Sequence, residues 1–200
     1  MALSKTSICN LALLHLGHSK RLANVESDQT AAANICRTVY DQARDEALRD
    51  SPWPFAAQRG ALGLVEANPN AEWAYAYRYP DDCLFLRRLL SDTRDDGVHV
   101  SYRLGQDDEG ELIFTDRADA EAEWTVRVED TGRYPPDFVQ MLSSLIAAYA
   151  GPALTGGDEF KLSERALRMY DWARMRARAN AANEEQPDQE ADGALLRARG

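Results

Sequence analysis

The sequence predicts an α+β fold: a helical bundle of about four helices with an inserted antiparallel β region and a flexible C-terminal extension. Apolar residues recur with a helical period in the first and last thirds of the chain. Between these parts, apolar and aromatic residues alternate with a period of two, and glycines and acidic turns interrupt them. We therefore assign residues 1–60 and 133–180 to the two halves of the bundle, 61–132 to the insertion and 181–200 to the extension.

Two helices are predicted in the N-terminal half. Ser4 is a candidate N-cap for the first, and Gly17 follows its end, where the backbone often needs a positive φ. Asp28 is the candidate cap of the second, whose apolar positions from Ala32 to Ala47 follow the i, i+3, i+4, i+7 pattern. Pro52 ends this helix because proline cannot donate the required hydrogen bond. The other faces of the second helix carry charged residues, namely Asp41, Arg44, Asp45 and Arg49.

The central region has the pattern of antiparallel strands. Aromatic residues alternate with small or charged ones from Trp73 to Tyr79, and a short apolar run begins at Cys83. Glycines and the acidic turn at 107–110 separate further candidate strands. These strands are expected at Val98–Leu104, Glu111–Thr115 and Glu123–Glu129.

Helical periodicity returns in the C-terminal part. Pro135 and Pro136 suit a helix start, and Gly151-Pro152 is expected to end that helix. Asp158 is the candidate cap of a last helix. That helix has an apolar stripe from Leu162 to Ala177, with Arg165, Arg168 and Arg176 on its other faces. From Ala181 the composition is too polar to bury a core, and the remaining candidate anchor is Leu195, Leu196 and Arg197.

Charge is unevenly distributed along the chain, which has a net charge of −10. Residues 81–130 hold 6 basic and 15 acidic side chains, whereas residues 161–180 hold 6 basic and 2 acidic ones. This balance argues against tight, non-specific DNA binding, which needs many phosphate contacts. The basic helix has two open interpretations. It is either a solvated helix end or a contact for an acidic neighbour, such as the 81–130 region of another copy.

Nothing in the sequence indicates a membrane span or a secretion signal. No apolar run approaches the ~18 residues that a spanning helix needs, so we expect the protein to stay where it is made. The cysteines are odd in number and widely spaced, which indicates buried, inert thiols and argues against a disulfide framework or zinc site. These cysteines are Cys9, Cys36 and Cys83.

We expect neither an enzyme nor a cofactor. The histidines His15, His18 and His99 lack any catalytic or metal-binding spacing and are interpreted as structural or surface residues. Carboxylate pairs are abundant, but no matched acid and nucleophile stand out, and the 107–111 run lacks calcium-loop spacing. The pairs are Asp81-Asp82, Asp95-Asp96, Asp107-Asp108 and Glu184-Glu185. Two alternatives stay open: a tail-associated peptidoglycan hydrolase, motivated by these pairs, and a soluble host-interaction module that shares the helical pattern.

Four blocks in the first 90 residues carry a family resemblance. They are Ile8–Gly17, Tyr40–Asp45, the turn Pro52–Ala56 with Arg59, and Tyr77–Leu84. In this order and spacing they resemble the bacteriophage head-to-tail adaptor (connector) group, often called tail tubular protein A. Trp53 and Phe55, between two prolines, are expected to wedge the end of the second helix against the bundle. With Tyr40 and Tyr79, they form our predicted structural core.

The resemblance implies a structural protein of the virion neck, assembled in the host cytoplasm. Such adaptors form rings of twelve subunits under the portal, and the genomic DNA passes through the central channel during ejection. By this resemblance the bundles pack side by side and the β region faces the tail nozzle or tail tube. The extension, with Leu195, Leu196 and Arg197, docks on the portal protein. An acidic channel wall repels phosphates and so lets DNA slide.

Overall fold

The structure is a computed structural model that describes residues 3–90, 99–157 and 161–184. These residues form four α-helices and seven β-strands. The helices are α1 (Lys5–His15), α2 (Ala31–Asp50), α3 (Pro136–Leu154) and α4 (Leu162–Glu184). The strands are β1 (Ala57–Ala61), β2 (Leu64–Val65), β3 (Tyr75–Arg78), β4 (Cys83–Leu89), β5 (Arg103–Asp107), β6 (Gly110–Thr115) and β7 (Glu121–Val126). The predicted α+β fold, with helices before and after an antiparallel β region, is confirmed.

The start of α1 agrees with the sequence prediction. Ser4 is the N-cap: the amide of Ser7 donates to Ser4 Oγ at 3.2 Å, and the amide of Ser4 donates to Ser7 Oγ at 2.9 Å. This reciprocal pair is a capping box, which gives partners to amides that the helix leaves free. Gly17 follows the end of the helix with a φ of +74°, a conformation that favours glycine.

The predicted cap of α2 is wrong by two residues. Thr30 is the N-cap, and its hydroxyl accepts from the amide of Ala33 at 3.3 Å. Asp28 lies too far before the helix for that role, and its carboxylate accepts instead from the amide of Thr30 at 2.8 Å. Asp28 therefore orders the loop that positions the true cap. The helix ends at Asp50, before Pro52, as expected.

Arg44 lies on a face of α2 other than the apolar stripe, as predicted, yet it is only 6% exposed. Its guanidinium donates to the carboxylates of Asp41 at 3.0 Å and Asp45 at 2.9 Å, so the buried positive charge is paired with two negative ones. Asp45 also lies 2.8 Å from the guanidinium of Arg127, just after β7.

The strands form two antiparallel sheets, ordered β1-β7-β4 and β2-β3-β6-β5. β1 begins inside the range 1–60 that we assigned to the first half of the bundle. The predicted strand Val98–Leu104 is corrected to β5 (Arg103–Asp107). A two-residue turn pairs Asp107 with Gly110, so the ladder with β6 extends to the turn. Val98 itself lies outside the described residues. The strand predicted at Glu123–Glu129 is β7, since its pairing with β1 begins at Glu121 opposite Ala61.

The predicted end of α3 at Gly151-Pro152 is also wrong, because the helix continues to Leu154. Proline this close to a helix end removes little hydrogen bonding, and the amide of Thr155 still donates to the carbonyl of Gly151 at 2.9 Å. Gly151 is instead a packing position. A Cβ placed there would overlap Ser163 Oγ and lie 3.3 Å from the side chain of Leu16. Glycine thus lets α1 and α4 approach α3 closely.

Two main apolar cores result. The larger one is built by all four helices around α3 and contains Cys9 and Cys36. The second lies between the two sheets, and half-buried Cys83 packs against it. Within the described ranges no helix combines the length and apolar character that crossing a bilayer requires. The predicted cap Asp158 lies outside these ranges.

Candidate functional site

An aromatic cluster joins the end of α2 to the start of α3. The indole N–H of buried Trp53 donates to the carbonyl of Ala47 at 2.9 Å, which fixes the ring under the last turn of α2. The centroid of Phe138 lies 5.0 Å from that of Trp53, 5.1 Å from that of Phe55 and 4.7 Å from that of Tyr134. These edge-on contacts are favourable aromatic geometry. The Pro52–Ala56 block is therefore a packing element of the bundle.

The tyrosines predicted as core residues lie in different cores. Tyr40 is buried in the bundle, with Lys5 Nζ 4.8 Å from its ring centroid, and burial raises the pKa of its hydroxyl far above the usual value. Tyr79 is half-buried against the inter-sheet core, and its hydroxyl accepts from the amide of Leu86 at 3.2 Å. Burial also raises the pKa of Tyr79, so both phenols are neutral near pH 7.

Arg87 fastens the sheets to the bundle. The last carbonyls of a helix lack partners within the helix. The Arg87 guanidinium, on β4, supplies these missing partners at the end of α2. Its Nη2 donates to the carbonyls of Leu48 at 3.0 Å, Arg49 at 3.1 Å and Ser51 at 2.8 Å. Its Nε donates to Thr125 Oγ1, on β7, at 2.7 Å. No sequence pattern indicates this role, since an arginine within a strand is typical of a solvated edge.

The end of α2 is held from a second side by α4. Arg178 Nη2 donates to the carbonyl of Asp50 at 2.6 Å, and the carboxylate of Asp50 lies 3.3 Å from Arg174 Nη1 and accepts from the hydroxyl of Tyr170. Cations at the C-terminal end of a helix oppose its partial negative charge. The last carbonyls of α2 thus form a polar node that joins the bundle to the β region.

The solvent side of α4 is unusually apolar. Leu167, Trp172 and Met175 are 46%, 55% and 62% exposed and lie opposite the buried stripe of the helix. Arg168 and Arg176 are exposed beside them, and the Arg176 guanidinium lies 4.6 Å from the centroid of the Trp172 ring. We call these five residues the α4 outer face. Exposed Trp, Met and Arg together are typical of protein–protein interfaces.

Exposed leucines on α1 continue the apolar surface of the bundle. Leu11 and Leu14 are exposed, and the end of α1 meets the start of α4 above Gly151. His15, the last residue of α1, contacts α3, where its Nε2 lies 3.3 Å from Ser143 Oγ. Burial, and next the positive charge of Arg165, lower the pKa of His15, so the imidazole is held neutral. His15 is thus a packing residue of the bundle.

Acidic side chains cluster in the β region between the end of β3, the start of β4 and the β5–β6 turn. The carboxylates of Asp81, Asp82, Asp108, Glu109 and Glu111 are all exposed, and we call them the acidic patch. The amide of Tyr79 donates to the carbonyl of Glu111 at 3.0 Å, which places the end of β3 beside the β5–β6 turn.

Some of the predicted carboxylate pairs have structural partners. Arg78 binds Asp107 through two bonds of 2.7 and 3.1 Å and lowers the pKa of that carboxyl, which also accepts from two turn amides. Asp82 accepts from the indole of Trp124 at 3.0 Å. A glycosidase acid needs a raised pKa, and Asp107 has the opposite. Across the described part of the chain, no three His, Cys, Asp or Glu side chains are grouped to hold a metal ion.

Other predicted site residues lie outside the described ranges. They are Asp95, Asp96, Glu185, Leu195, Leu196 and Arg197. The residues that sequence reasoning missed are Arg87 and the apolar members of the α4 outer face. The apolar members had a readable signal, since Leu167, Trp172 and Met175 are large apolar residues out of phase with the buried stripe. Neither a protein-family model nor a curated protein matches the chain.

Proposed function

We propose that this chain is a virion structural protein, a subunit of the adaptor ring that joins a phage portal to the tail. The observation that carries the proposal is the α4 outer face, where three large apolar side chains and two arginines face solvent on one helix. Such a surface is typical of a subunit that is buried against partners in an assembly. Its position on a bundle interrupted by a β region fits the family that the first 90 residues resemble.

The joint between the two parts of the molecule also fits this role. A connector subunit has to hold one neighbour at each end in a fixed relation. The carbonyls at the end of α2 are bonded by Arg87 from the sheets and Arg178 from α4, so the bundle and the β region are fastened to each other. The turn around Trp53, one of the blocks that carry the family resemblance, packs directly beneath this node.

The proposed partners follow from the resemblance. They are the portal protein, reached by residues 181–200 with Leu195, Leu196 and Arg197, and a nozzle or tube protein at the β region. Twelve copies form the ring in the virion neck after assembly in the host cytoplasm. The net charge of −10 suits a channel through which DNA passes without binding, because negative walls repel phosphates.

The peptidoglycan hydrolase alternative has less support. Its motivation was the carboxylate pairs, and Asp107 and Asp82 have structural partners in Arg78 and Trp124. Zymography on peptidoglycan separates the two functions, since a clearing band by the purified chain would revive the hydrolase. The host-interaction alternative is separated by gene neighbourhood, because an adaptor gene is expected beside portal, capsid or tail genes.

Reconstitution with the portal tests the proposal directly. The chain is mixed with the portal protein encoded in the same genome, and particles are imaged by negative stain. We expect an additional ring layer on one side of the portal. Portals that bind no layer at any ratio of the two proteins would reject the adaptor function. Truncation after Asn183 should abolish the layer, and a layer that persists would reject the docking role of the extension.

A further inference from the structure

We infer that the α4 outer face of one copy binds the acidic patch of the next copy. The inference rests on the proposed function and deepens it by naming the two surfaces that meet. It commits to a second copy of this chain as the occupant, because the chain itself carries both halves of a complementary contact.

The first half is basic as well as apolar. Around Trp172 and Met175, exposed Arg165, Arg168 and Arg176 add positive charge. Across residues 161–180 there are 6 basic side chains and only 2 acidic ones. The stacking of Arg176 on Trp172 holds both side chains in one arrangement, so less rotamer entropy is lost when a partner binds. A preferred partner is therefore acidic, with some apolar surface.

The second half of the contact, the acidic patch, combines negative charge with some apolar surface. Five carboxylates are exposed in the acidic patch. The nearby cation Arg78 binds Asp107 at 2.7 Å and Glu109 at 2.9 Å, so it offsets the charge of one member of the patch and leaves four carboxylates for a partner. An exposed leucine adjoins the carboxylates: Leu104 is 53% exposed and pairs with Ile113, which lies two residues from Glu111 on β6. Because side chains two apart on a strand share a face, Leu104 and Glu111 lie on the same side of the sheet. The patch thus offers an apolar contact for Trp172 beside charges for the arginines.

The contact joins different surfaces of the two copies. The α4 outer face belongs to the bundle, whereas the acidic patch belongs to the β region. An interface of this head-to-tail kind leaves one free face and one free patch after each addition, so it generates closed rings or open helices. Both surfaces are exposed in the single chain and remain available for this assembly.

Charge reversal tests the pairing. One full-length variant carries Arg168→Glu and Arg176→Glu, and a second carries Asp81→Arg and Glu111→Arg. In sedimentation velocity over a concentration series, we expect the wild type to associate. Each variant alone should bind at least about 100-fold more weakly, because like charges then face each other across the interface. An equimolar mixture should associate again, since each variant's altered surface matches the altered surface of the other.

A matched control places the same charge change elsewhere. Lys20→Glu with Arg21→Glu alters two exposed residues before α2 and should leave association unchanged. Circular dichroism and thermal unfolding establish that every variant is folded. Association of the wild type should also weaken with added salt, because the screening length falls from about 10 Å at 0.1 M to about 3 Å at 1 M.

Three outcomes would overturn the inference: a wild type that stays monomeric up to its solubility limit, an Arg168/Arg176 variant that associates normally, or a mixture that fails to recover. The proposed function is tested separately by the portal layer. A layer that also forms with the charge-reversed variants rejects the α4 contact and keeps the adaptor role. Charge-dependent self-association without any portal layer keeps the α4 contact and rejects the adaptor role.

Discussion

Replacing Arg87 with methionine should loosen the joint between the sheets and the bundle. Methionine retains an apolar stem of similar length, which continues to pack near Phe85, but it has no donor. The substitution removes the hydrogen bonds to the carbonyls of Leu48, Arg49 and Ser51 and to the hydroxyl of Thr125. Water reaches the carbonyl of Arg49, which is exposed, more easily than the other acceptors.

The magnitude follows from the acceptors that lose their donor. The carbonyl of Ser51 still accepts from the amide of Trp53 at 3.0 Å, so two part-buried acceptors lose their donor, namely the carbonyl of Leu48 and the hydroxyl of Thr125. A part-buried acceptor left without a partner costs about 1–3 kcal/mol. Local relaxation admits water to these two, so we expect a loss of about 2–4 kcal/mol in the free energy of unfolding. Since domains of this size have roughly 5–15 kcal/mol in total, the variant should still fold.

Urea unfolding followed by circular dichroism measures this loss, and the slope with urea should remain unchanged if only stability is affected. Arg59→Met is the matched control, because it makes the same chemical change on β1, where the exposed Arg59 forms an ion pair with Glu123 at 3.0 Å. That control should cost less than about 1 kcal/mol. A loss below about 1 kcal/mol for Arg87→Met would refute the role of Arg87 in holding the sheets against the bundle.

Three further substitutions test the bundle. Gly151→Ala places a methyl group against Ser163, should push α4 from α3, and is expected to cost about 1–3 kcal/mol in urea unfolding. Trp53→Phe keeps an aromatic ring but leaves the carbonyl of Ala47 without its donor, an expected loss of about 1–3 kcal/mol by the same measurement. His15→Gln should reduce the pH dependence of stability: burial lowers the pKa of His15 below 6.5, so its contribution is full above pH 6.5 and is lost as the pH falls through the lowered value.

Each of these has a contrary outcome. Gly63→Ala is the control for Gly151, because the nearest atom to an added methyl there is 4.0 Å away, and it should cost less than about 1 kcal/mol. Equal losses for both glycines would reject the packing role of Gly151. A Trp53→Phe protein as stable as the wild type would show that the indole hydrogen bond does not stabilise the bundle. For His15→Gln, stability that falls between pH 7 and pH 5 as steeply as in the wild type would contradict the buried neutral imidazole.

The helices were predictable because their apolar positions repeat over several turns. That pattern located the buried stripe of α4 and the core side of α2. Their ends were harder, since Asp28 and Thr30 are both good capping residues and the choice depends on which oxygen reaches an amide of the first turn. β1 and β2 escaped prediction because β1 is mostly exposed and β2 is only two residues long, so neither has an apolar alternation to read.

The functional surfaces were less predictable than the fold. Trp172 is exposed and Arg87 is half-buried, and both depart from the average behaviour of their residue types, on which sequence patterns rely. Trp172 became recognisable only once the core side of α4 was fixed. Arg87 depends on α2 ending within reach of β4, a relation between distant segments that composition and periodicity do not contain.

The insertion also determines when the bundle can form. α1 and α2 touch each other little and pack mainly on α3, which follows the whole β region in the chain. Arg178 reaches the carbonyl of Asp50 across 128 positions of sequence. Such distant pairings slow folding, because the entropy of closing a long loop is lost before the stabilising contacts form. On the ribosome, the apolar sides of the first two helices therefore wait uncovered while the strands are made, and the end of α2 is sealed only when nearly the whole chain has emerged.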